Sequence, residues 1–297
     1  MLHIILRGRT GNILFQYALG RVLAAKHGVP LVLGASWYNR QGWAEVSHLL
    51  KLPIQANVTR GGMPGSIASR ALRKLTGKHY WEYSGLPVLK EDALDHSFNP
   101  QFLDAPAECV ISGYFQSPLY FESMADEIIY EIKYLLAQSF GLDSGQDARA
   151  TVARASCPPP VIERITQPNS IAVHVRRGDY LCIPVFQVCD ESYYHQSMER
   201  MRAQVPDARF FIFSDDPEWC RSNFSEQDTE VVDSGDAASN PLHDLYLMSL
   251  AGHHIIANSS YSWWAAWLGD KPDQQVIMPD RWYAKDIHAP IGEKRWK

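Results

Sequence analysis

The segment Ile171–Tyr180 constrains the fold of this chain more than any other. Its apolar start, Ile171 to Val175, is typical of a buried strand, and Arg176 and Arg177 follow directly. Open α/β sheets bind ligands at the carboxyl ends of their strands. Two adjacent guanidiniums beside Gly178 therefore predict a site for a strongly anionic group, because arginine presents planar donors that match phosphate oxygens. The alternative interpretation is a cluster of surface salt bridges.

Strands and helices alternate in the first part of the chain. Residues 2–6 predict a strand, 7–12 a glycine-containing loop, and the following residues a helix that ends near Gly28. A strand at 30–33 completes a βαβ opening. Residues 36–104 show no such pattern and are interpreted as mixed loops and short helices. Residues 109–115 predict a strand that runs into a loop, and 123–139 predict a helix.

The second half repeats the alternation and predicts a second parallel sheet. Predicted strands lie at 171–175, 209–213, 230–232, 254–257 and 275–278, with helices near 190–205 and 241–252 and after 262. A polar, proline-containing stretch at 141–169 is interpreted as a linker. The fold class predicted is α/β, with two doubly wound domains at residues 1–150 and 151–297 that face a central cleft.

Three predicted strand ends in the second half carry polar residues, at 174–179, 214–216 and 258–262. Because parallel strand ends share one edge, arginines, carboxylates and hydroxyls would meet there and suit a nucleotide diphosphate. Asp215 or Asp216 would accept from a base or a ribose, and one of them is expected to cap the helix after Pro217. A divalent metal on the two aspartates is the less favoured alternative, since Arg176 and Arg177 can neutralise the diphosphate.

The N-terminal loop carries a second set of candidates. It lacks the Gly-x-Gly-x-x-Gly spacing of dinucleotide-binding loops, although Gly11 permits close approach by an anion. Asn12 is interpreted either as a helix cap or as a ligand-binding residue. A tryptophan-rich segment near the C-terminus is expected to be core rather than a stacking surface: Trp263, Trp264 and Trp267.

Composition argues against several classes of protein. The net charge of -5 argues against nucleic-acid binding, and no apolar run approaches the roughly 18–20 residues that span a bilayer. The first residues are interpreted as a strand and not a signal sequence, so we expect a cytoplasmic protein; contact with a membrane surface or a lipid-linked substrate stays open. Five widely spaced cysteines fit neither a disulfide framework nor a zinc site.

Five groups of residues resemble the α1,2-fucosyltransferases, family 11 of the glycosyltransferases. His174–Asp179 resembles the His-x-Arg-Arg-x-Asp motif that α1,2-, α1,6- and protein O-fucosyltransferases share. Gly11–Ala18, Gly113–Phe121, Phe213–Trp219 and Asp244–Trp264 resemble the other motifs, in the family's order. One difference is Arg7–Thr10, which replaces the usual glycine-rich start and is similar to the protein O-fucosyltransferases.

The resemblance implies a two-domain architecture of the GT-B type, with an acceptor-side N-terminal domain and a C-terminal domain that binds GDP-fucose. It implies no metal or other cofactor, and inversion at the fucose anomeric carbon during transfer to the 2-hydroxyl of a terminal galactose. Arg176 would stabilise the departing phosphate. The residues expected around the nucleotide are His174, Arg176, Arg177, Asp215, Asp216, Asn258, Ser259, Ser260, Tyr261, Ser262 and Gly11.

The predicted mechanism is a single displacement, with Arg176, Asp179 and Asn12 as the catalytic set. Asp179 would serve either as general base or to orient an arginine, and Asn12 would hold the acceptor or the donor. The alternatives are a related fucosyltransferase that acts on a protein or a chitooligosaccharide, a metal-dependent transferase, and a non-catalytic protein that binds sugar nucleotides. The acceptor glycan and the oligomeric state remain open.

Overall fold

A computed structural model describes residues 1–38, 48–49, 53–59, 85–92, 97–139, 160–232, 241–284 and 296. The chain forms two compact units that divide between Ile128 and Ile129. The predicted domain boundary at residue 150 lies among residues 140–159, outside the described part of the chain, and stays a prediction.

The first unit is built on a parallel sheet of five strands. They are β1 (Leu2–Ile5), β2 (Leu31–Gly34), β3 (Asn57–Thr59), β4 (Val88–Lys90) and β5 (Cys109–Ser112). Their spatial order is β3-β2-β1-β5-β4, so β1 is central and pairs on one side with β2 and on the other with β5. The carboxyl ends of β1 and β5 are therefore neighbours at one edge.

Helix α1 (Thr10–His27) joins β1 to β2 and is largely buried. It ends at Gly28, whose left-handed φ of 62° allows the C-cap that glycine provides without a steric cost. A second helix, α2 (Ala125–Ser139), spans the division between the units. The sequence predicted both helices.

For residues 36–104, a predicted short helix is present at Pro100–Asp104, but the prediction was wrong for two described segments that form the strands β3 and β4. Both are strands of three residues at the edges of the sheet, and each has a single strand neighbour. Such short segments carry no hydrophobic period long enough to identify, and long-range pairing alone makes them strands.

The second unit also contains a five-stranded parallel sheet. Its strands are β6 (Ser170–Val175), β7 (Arg209–Ser214), β8 (Thr229–Val231), β9 (His253–Ile255) and β10 (Val276–Ile277). The spatial order is β10-β9-β6-β7-β8. From the opposite edge, with β6 counted as strand 1, it is the 3-2-1-4-5 order of nucleotide-binding sheets. The order reverses between β6 and β9, where such sheets bind their ligands.

The helices of this unit are α3 (Pro160–Ile165), α4 (Glu191–Gln204), α5 (Pro217–Asn223), α6 (Pro241–Leu250) and α7 (Ser260–Leu268). Helix α7 carries three tryptophans that are at most 4% exposed, and their rings contact each other at centroid distances of 5.1 to 5.8 Å. The prediction that they belong to the core is confirmed.

The α/β class and the two parallel sheets are confirmed. That the two domains face a common cleft stays a prediction. Among the described residues, no helix is both long and apolar enough to cross a bilayer. The cysteines in the described part of the chain are free thiols: Cys109, Cys182, Cys189 and Cys220.

Candidate active site

The three polar strand ends predicted from the sequence lie on neighbouring strands. β6 pairs with β7 through Val175 opposite Ser214, and with β9 through Val173 opposite Ile255. Because all three strands are parallel, the segments that follow them leave the sheet at the same edge. This arrangement brings the arginines after β6 next to the aspartates after β7.

Arg176 is held by two carboxylates. Its Nη2 donates to Oδ1 of Asp179 at 2.5 Å, and its Nη1 lies 2.9 Å from Oδ2 of Asp215. The side chain is 14% exposed, so these bonds form in a partly desolvated place where they are stronger than on an open surface. A guanidinium has five N–H groups, so two such bonds fix its plane and leave others for a ligand.

Arg177 is held differently. Its backbone N–H donates to Oδ1 of Asp215 at 2.8 Å, and its Nε donates to Oδ2 of Asp216 at 3.0 Å. The guanidinium carbon lies 3.8 Å from the centroid of the Trp219 ring, which is cation–π geometry. Asp216 also accepts from the backbone N–H of Trp219 at 3.2 Å and is the N-cap of α5, as predicted for one of the two aspartates.

Gly178 lets Asp215 reach both arginines. A Cβ at this position would lie 2.4 Å from Oδ2 of Asp215, far inside van der Waals contact. The carboxylate therefore occupies the space that any other side chain would need. The sequence pattern identified this glycine only as a neighbour of the arginines.

His174 is buried at the end of β6 and lies against Tyr261, with ring centroids 5.5 Å apart. Burial, assisted by the positive charge of Arg176, lowers the pKa of His174 to about 3. Within the described residues, Nδ1 of this ring has no hydrogen-bond partner. The imidazole is thus neutral at physiological pH. The Tyr261 hydroxyl donates to the backbone carbonyl of Pro241, and burial raises its pKa.

Asn258 ties the end of β9 to the segment that follows the arginines. Its Nδ2 donates to the carbonyls of Phe186 and Trp282 at 3.1 and 3.0 Å, and its Oδ1 accepts from the Cys189 thiol at 3.6 Å. Its backbone carbonyl accepts from the Tyr180 hydroxyl at 3.2 Å. The predicted nucleotide ligand Asn258 therefore uses its amide inside the protein, where it holds the loop in place.

Tyr180 connects Asn258 to the arginines. The guanidinium carbon of Arg176 lies 5.3 Å from the centroid of its ring, and the ring stacks on Phe186 at 4.7 Å. Burial raises the pKa of Tyr180 to about 12, so its hydroxyl is a hydrogen-bond donor over the physiological range. Sequence reasoning missed this tyrosine, and its position beside the motif was the available signal.

The hydroxyls after β9 surround the start of α7. Ser259 is the N-cap and accepts from the backbone N–H of Tyr261 at 3.4 Å. Ser262 donates back to the carbonyl of Ser259 at 3.2 Å, which keeps its hydroxyl within the helix start. Ser260 is the first helical residue. The N–H groups of this first turn form a site suited to a phosphate, because the helix dipole adds a positive field there.

The predicted residues Gly11 and Asn12 lie in the first turn of α1, in the first unit. Asn12 is not the helix cap, because Arg9 occupies that position. Its Oδ1 accepts from Nε2 of Gln116 at 2.6 Å. A Cβ on Gly8 would lie 2.2 Å from Nδ2 of Asn12, and Gly8 has a φ of 77°, so glycine satisfies two requirements here.

A family model matches residues 160–297, which contain β6, β7, β9 and the arginine–aspartate cluster. That family is glycosyl transferase family 11. The resemblance predicted from the motifs is therefore confirmed for the C-terminal part of the chain. The match includes both arginines and all three aspartates described above.

The similar proteins include named colitosyl- and fucosyltransferases. An alpha-1,2-colitosyltransferase of Escherichia coli is 38% identical over 126 residues, which cover 40% of this chain and 42% of that protein. A galactoside alpha-(1,2)-fucosyltransferase 2 of Pongo pygmaeus is 25% identical over 88% of this chain and 67% of its own. The crystal structure of NodZ alpha-1,6-fucosyltransferase soaked with GDP-fucose is 15% identical, with a TM-score of 0.47 over 90% of this chain and 92% of that one.

The first curated relatives match this chain over less than half of their own length, 42% and 44% for the two from Escherichia coli.

Proposed function

We propose that this protein is an inverting fucosyltransferase that moves L-fucose from GDP-fucose to the 2-hydroxyl of a terminal galactose. The observation that carries the proposal is the Arg176 guanidinium, fixed by Asp179 and Asp215 at the strand edge within the part that matches family 11. Relatives named α1,2-colitosyl- and α1,2-fucosyltransferases support this linkage.

Arg176 would act on the leaving group. As the bond from fucose to the β-phosphate oxygen breaks, negative charge grows on the diphosphate, and a guanidinium that is already oriented stabilises that charge without reorganising. A pre-set donor of this kind lowers a barrier by about 3–4 kcal/mol. The first-turn N–H groups of α7 would hold the phosphates, and neutral His174 would offer a hydrogen bond to the nucleotide.

The same contacts favour a reaction without a divalent metal. Both oxygens of Asp215 bond to the arginines, and Asp216 bonds to the Arg177 guanidinium and to the Trp219 N–H. A metal would have to displace those bonds to gain carboxylate ligands. We expect full transfer activity in excess EDTA; loss that Mg²⁺ or Mn²⁺ restores would favour the metal-dependent alternative.

Transfer is tested by incubation of the protein with GDP-fucose and galactose-terminated oligosaccharides, with GDP release and product linkage by NMR as readouts. We expect an α1,2-linked product. Arg176→Ala should lower kcat by about 100- to 1,000-fold, the range for removal of one pre-set donor. The matched control is Arg164→Ala, which removes an exposed guanidinium paired with Glu230. Turnover by Arg176→Ala within tenfold of wild type would exclude this role.

A second donor is favoured by one observation. The relative with 38% identity is named a colitosyltransferase, and colitose is L-fucose without its 3-hydroxyl. GDP-fucose and GDP-colitose should therefore be offered in competition, with each product quantified. Acceptor panels that include a peptide and a chitooligosaccharide distinguish the acceptor alternatives, and GDP binding without any transfer would indicate a non-catalytic protein.

A further inference from the structure

The turn at residues 113–117 in the first unit is held in a costly conformation. Phe115 has a φ of 53°, a left-handed value that side-chain-bearing residues rarely adopt. The Glu91 carboxylate fixes this turn by accepting from the backbone N–H groups of Tyr114 and Phe115 at 2.6 and 3.0 Å. Strain that is held so firmly by its surroundings is typical of functional sites.

The turn is also tied to the end of β1. Gln16 on α1 is fully buried and donates to the carbonyls of Gly113 and Arg7 at 2.9 and 3.2 Å. A Cβ on Gly113 would lie 2.5 Å from Cβ of Glu91, so this position requires glycine. These contacts hold the turn so that the side chain of Gln116, the residue after Phe115, meets Asn12.

Gln116 uses only half of its amide within the protein. Its Nε2 donates to Asn12, whereas its Oε1 is buried and meets no donor among the described residues. The Ser117 hydroxyl, one residue further on, is also buried without a partner in that part of the chain. A buried acceptor without a donor is costly, so a ligand or a water molecule that donates a hydrogen bond would stabilise it.

We propose that Gln116 binds the carbohydrate acceptor, with its Oε1 accepting a hydrogen bond from a sugar hydroxyl while its Nε2 holds the Asn12 amide in a fixed orientation. This inference rests on the proposed function, which supplies a hydroxyl-rich acceptor. Because Gln116 occupies Oδ1 of Asn12, Nδ2 of Asn12 faces Gly8 at the edge where β1 ends.

Gln116→Met tests the inference, because methionine keeps the length of the side chain and removes both polar atoms. The affinity for a methyl β-galactoside and for its monodeoxy analogues is measured by NMR titration. We expect Gln116→Met to raise the acceptor Kd at least tenfold. For the wild type, the Kd of one deoxy analogue should be at least fivefold higher than that of the parent galactoside. For Gln116→Met, the Kd of that analogue and of the parent should be equal. GDP affinity should stay within twofold.

Gln55→Met is the matched control, since Gln55 accepts from Arg21 at the exposed surface of the same unit. It should bind acceptor and GDP as the wild type does. The ratio of the Kd of each deoxy analogue to that of the parent galactoside is compared between the wild type and Gln116→Met. If every ratio is the same in both proteins, the partner of Oε1 is a water molecule and the inference is wrong. Wild-type protein that binds galactosides without transfer contradicts the proposed function alone, and wild type that binds none contradicts both.

Discussion

The contact between Arg176 and Asp179 favours one of the two roles that the sequence left open for the aspartate. Asp179 Oδ1 lies 2.5 Å from Nη2 of the arginine, so the carboxylate is placed to orient the guanidinium. Asp179→Asn keeps an oxygen that accepts the same bond, whereas Asp179→Ala removes it. Hydrogen bonds to charged groups contribute about 1.5–3 kcal/mol, which corresponds to roughly 10- to 150-fold.

We therefore expect Asp179→Ala to lower kcat by about 10- to 150-fold and Asp179→Asn by no more than about tenfold. The acid limb of the pH–rate profile should persist in Asp179→Asn. A general base would give equal, severe losses in both variants, together with loss of that acid limb. Steady-state kinetics between pH 5 and 9 distinguish the two outcomes.

A second prediction concerns Gly178. In Gly178→Ala, the new methyl group would contact Oδ2 of Asp215 and force the carboxylate away from Arg176 and from the Arg177 backbone. Overpacking of this kind costs about 1–3 kcal/mol. We expect GDP affinity, measured by calorimetry, to fall about 5- to 100-fold. Asp215→Asn should show a loss in the same direction; unchanged GDP affinity in Gly178→Ala would refute this role of the glycine.

The turn at residues 113–117 depends on one carboxylate, that of Glu91. Glu91→Gln would place an amide N–H₂ against one of the two backbone N–H groups that Glu91 now binds. The lost bond should lower the free energy of unfolding by about 1–3 kcal/mol. It should also raise the acceptor KM, since the turn positions Gln116. The neighbouring change Asp92→Asn is the control, and equal behaviour of the two variants would exclude a specific role for Glu91.

The sequence predicted the elements that carry their own periodicity and the strand ends that carry charge. Helix α1 with its Gly28 cap, strands β6 and β7, and the cluster around Arg176 followed from local pattern and parallel topology. Glu91 was missed, because its two bonds join residues more than twenty positions apart and no local pattern encodes them. Asn258 was expected to bind the ligand, yet three internal contacts use its side chain.

Buried histidines link the stability of the folded protein to pH. Burial lowers the pKa of His174 and of His254 to about 3 each, well below the ordinary value of 6.5. His254 accepts from Gln274 through Nδ1 and donates to the Met248 carbonyl through Nε2, which fixes its neutral tautomer. In the unfolded chain these two histidines bind protons below pH 6.5, whereas in the folded chain they stay neutral until the pH approaches 3. Their contribution to stability is therefore fully present above pH 6.5 and is lost as the pH decreases toward 3.

Each histidine contributes at most about 1.4 kcal/mol per pH unit in this window. We expect the free energy of unfolding in urea to fall from pH 6.5 to pH 4.5, with a smaller slope in His254→Gln. A His254→Gln slope equal to that of the wild type would show that this ring is protonated in the folded state.

The cluster at the strand edge carries a net charge of about one negative unit before any nucleotide arrives. Two guanidiniums, Arg176 and Arg177, face three carboxylates, Asp179, Asp215 and Asp216. At distances beyond about a Debye length, a nucleotide anion would sense little net attraction from this group. Binding of the nucleotide would then depend on hydrogen-bond donors that act only at short range. The association rate of the nucleotide should consequently vary weakly with ionic strength, and specificity would arise after encounter rather than during approach.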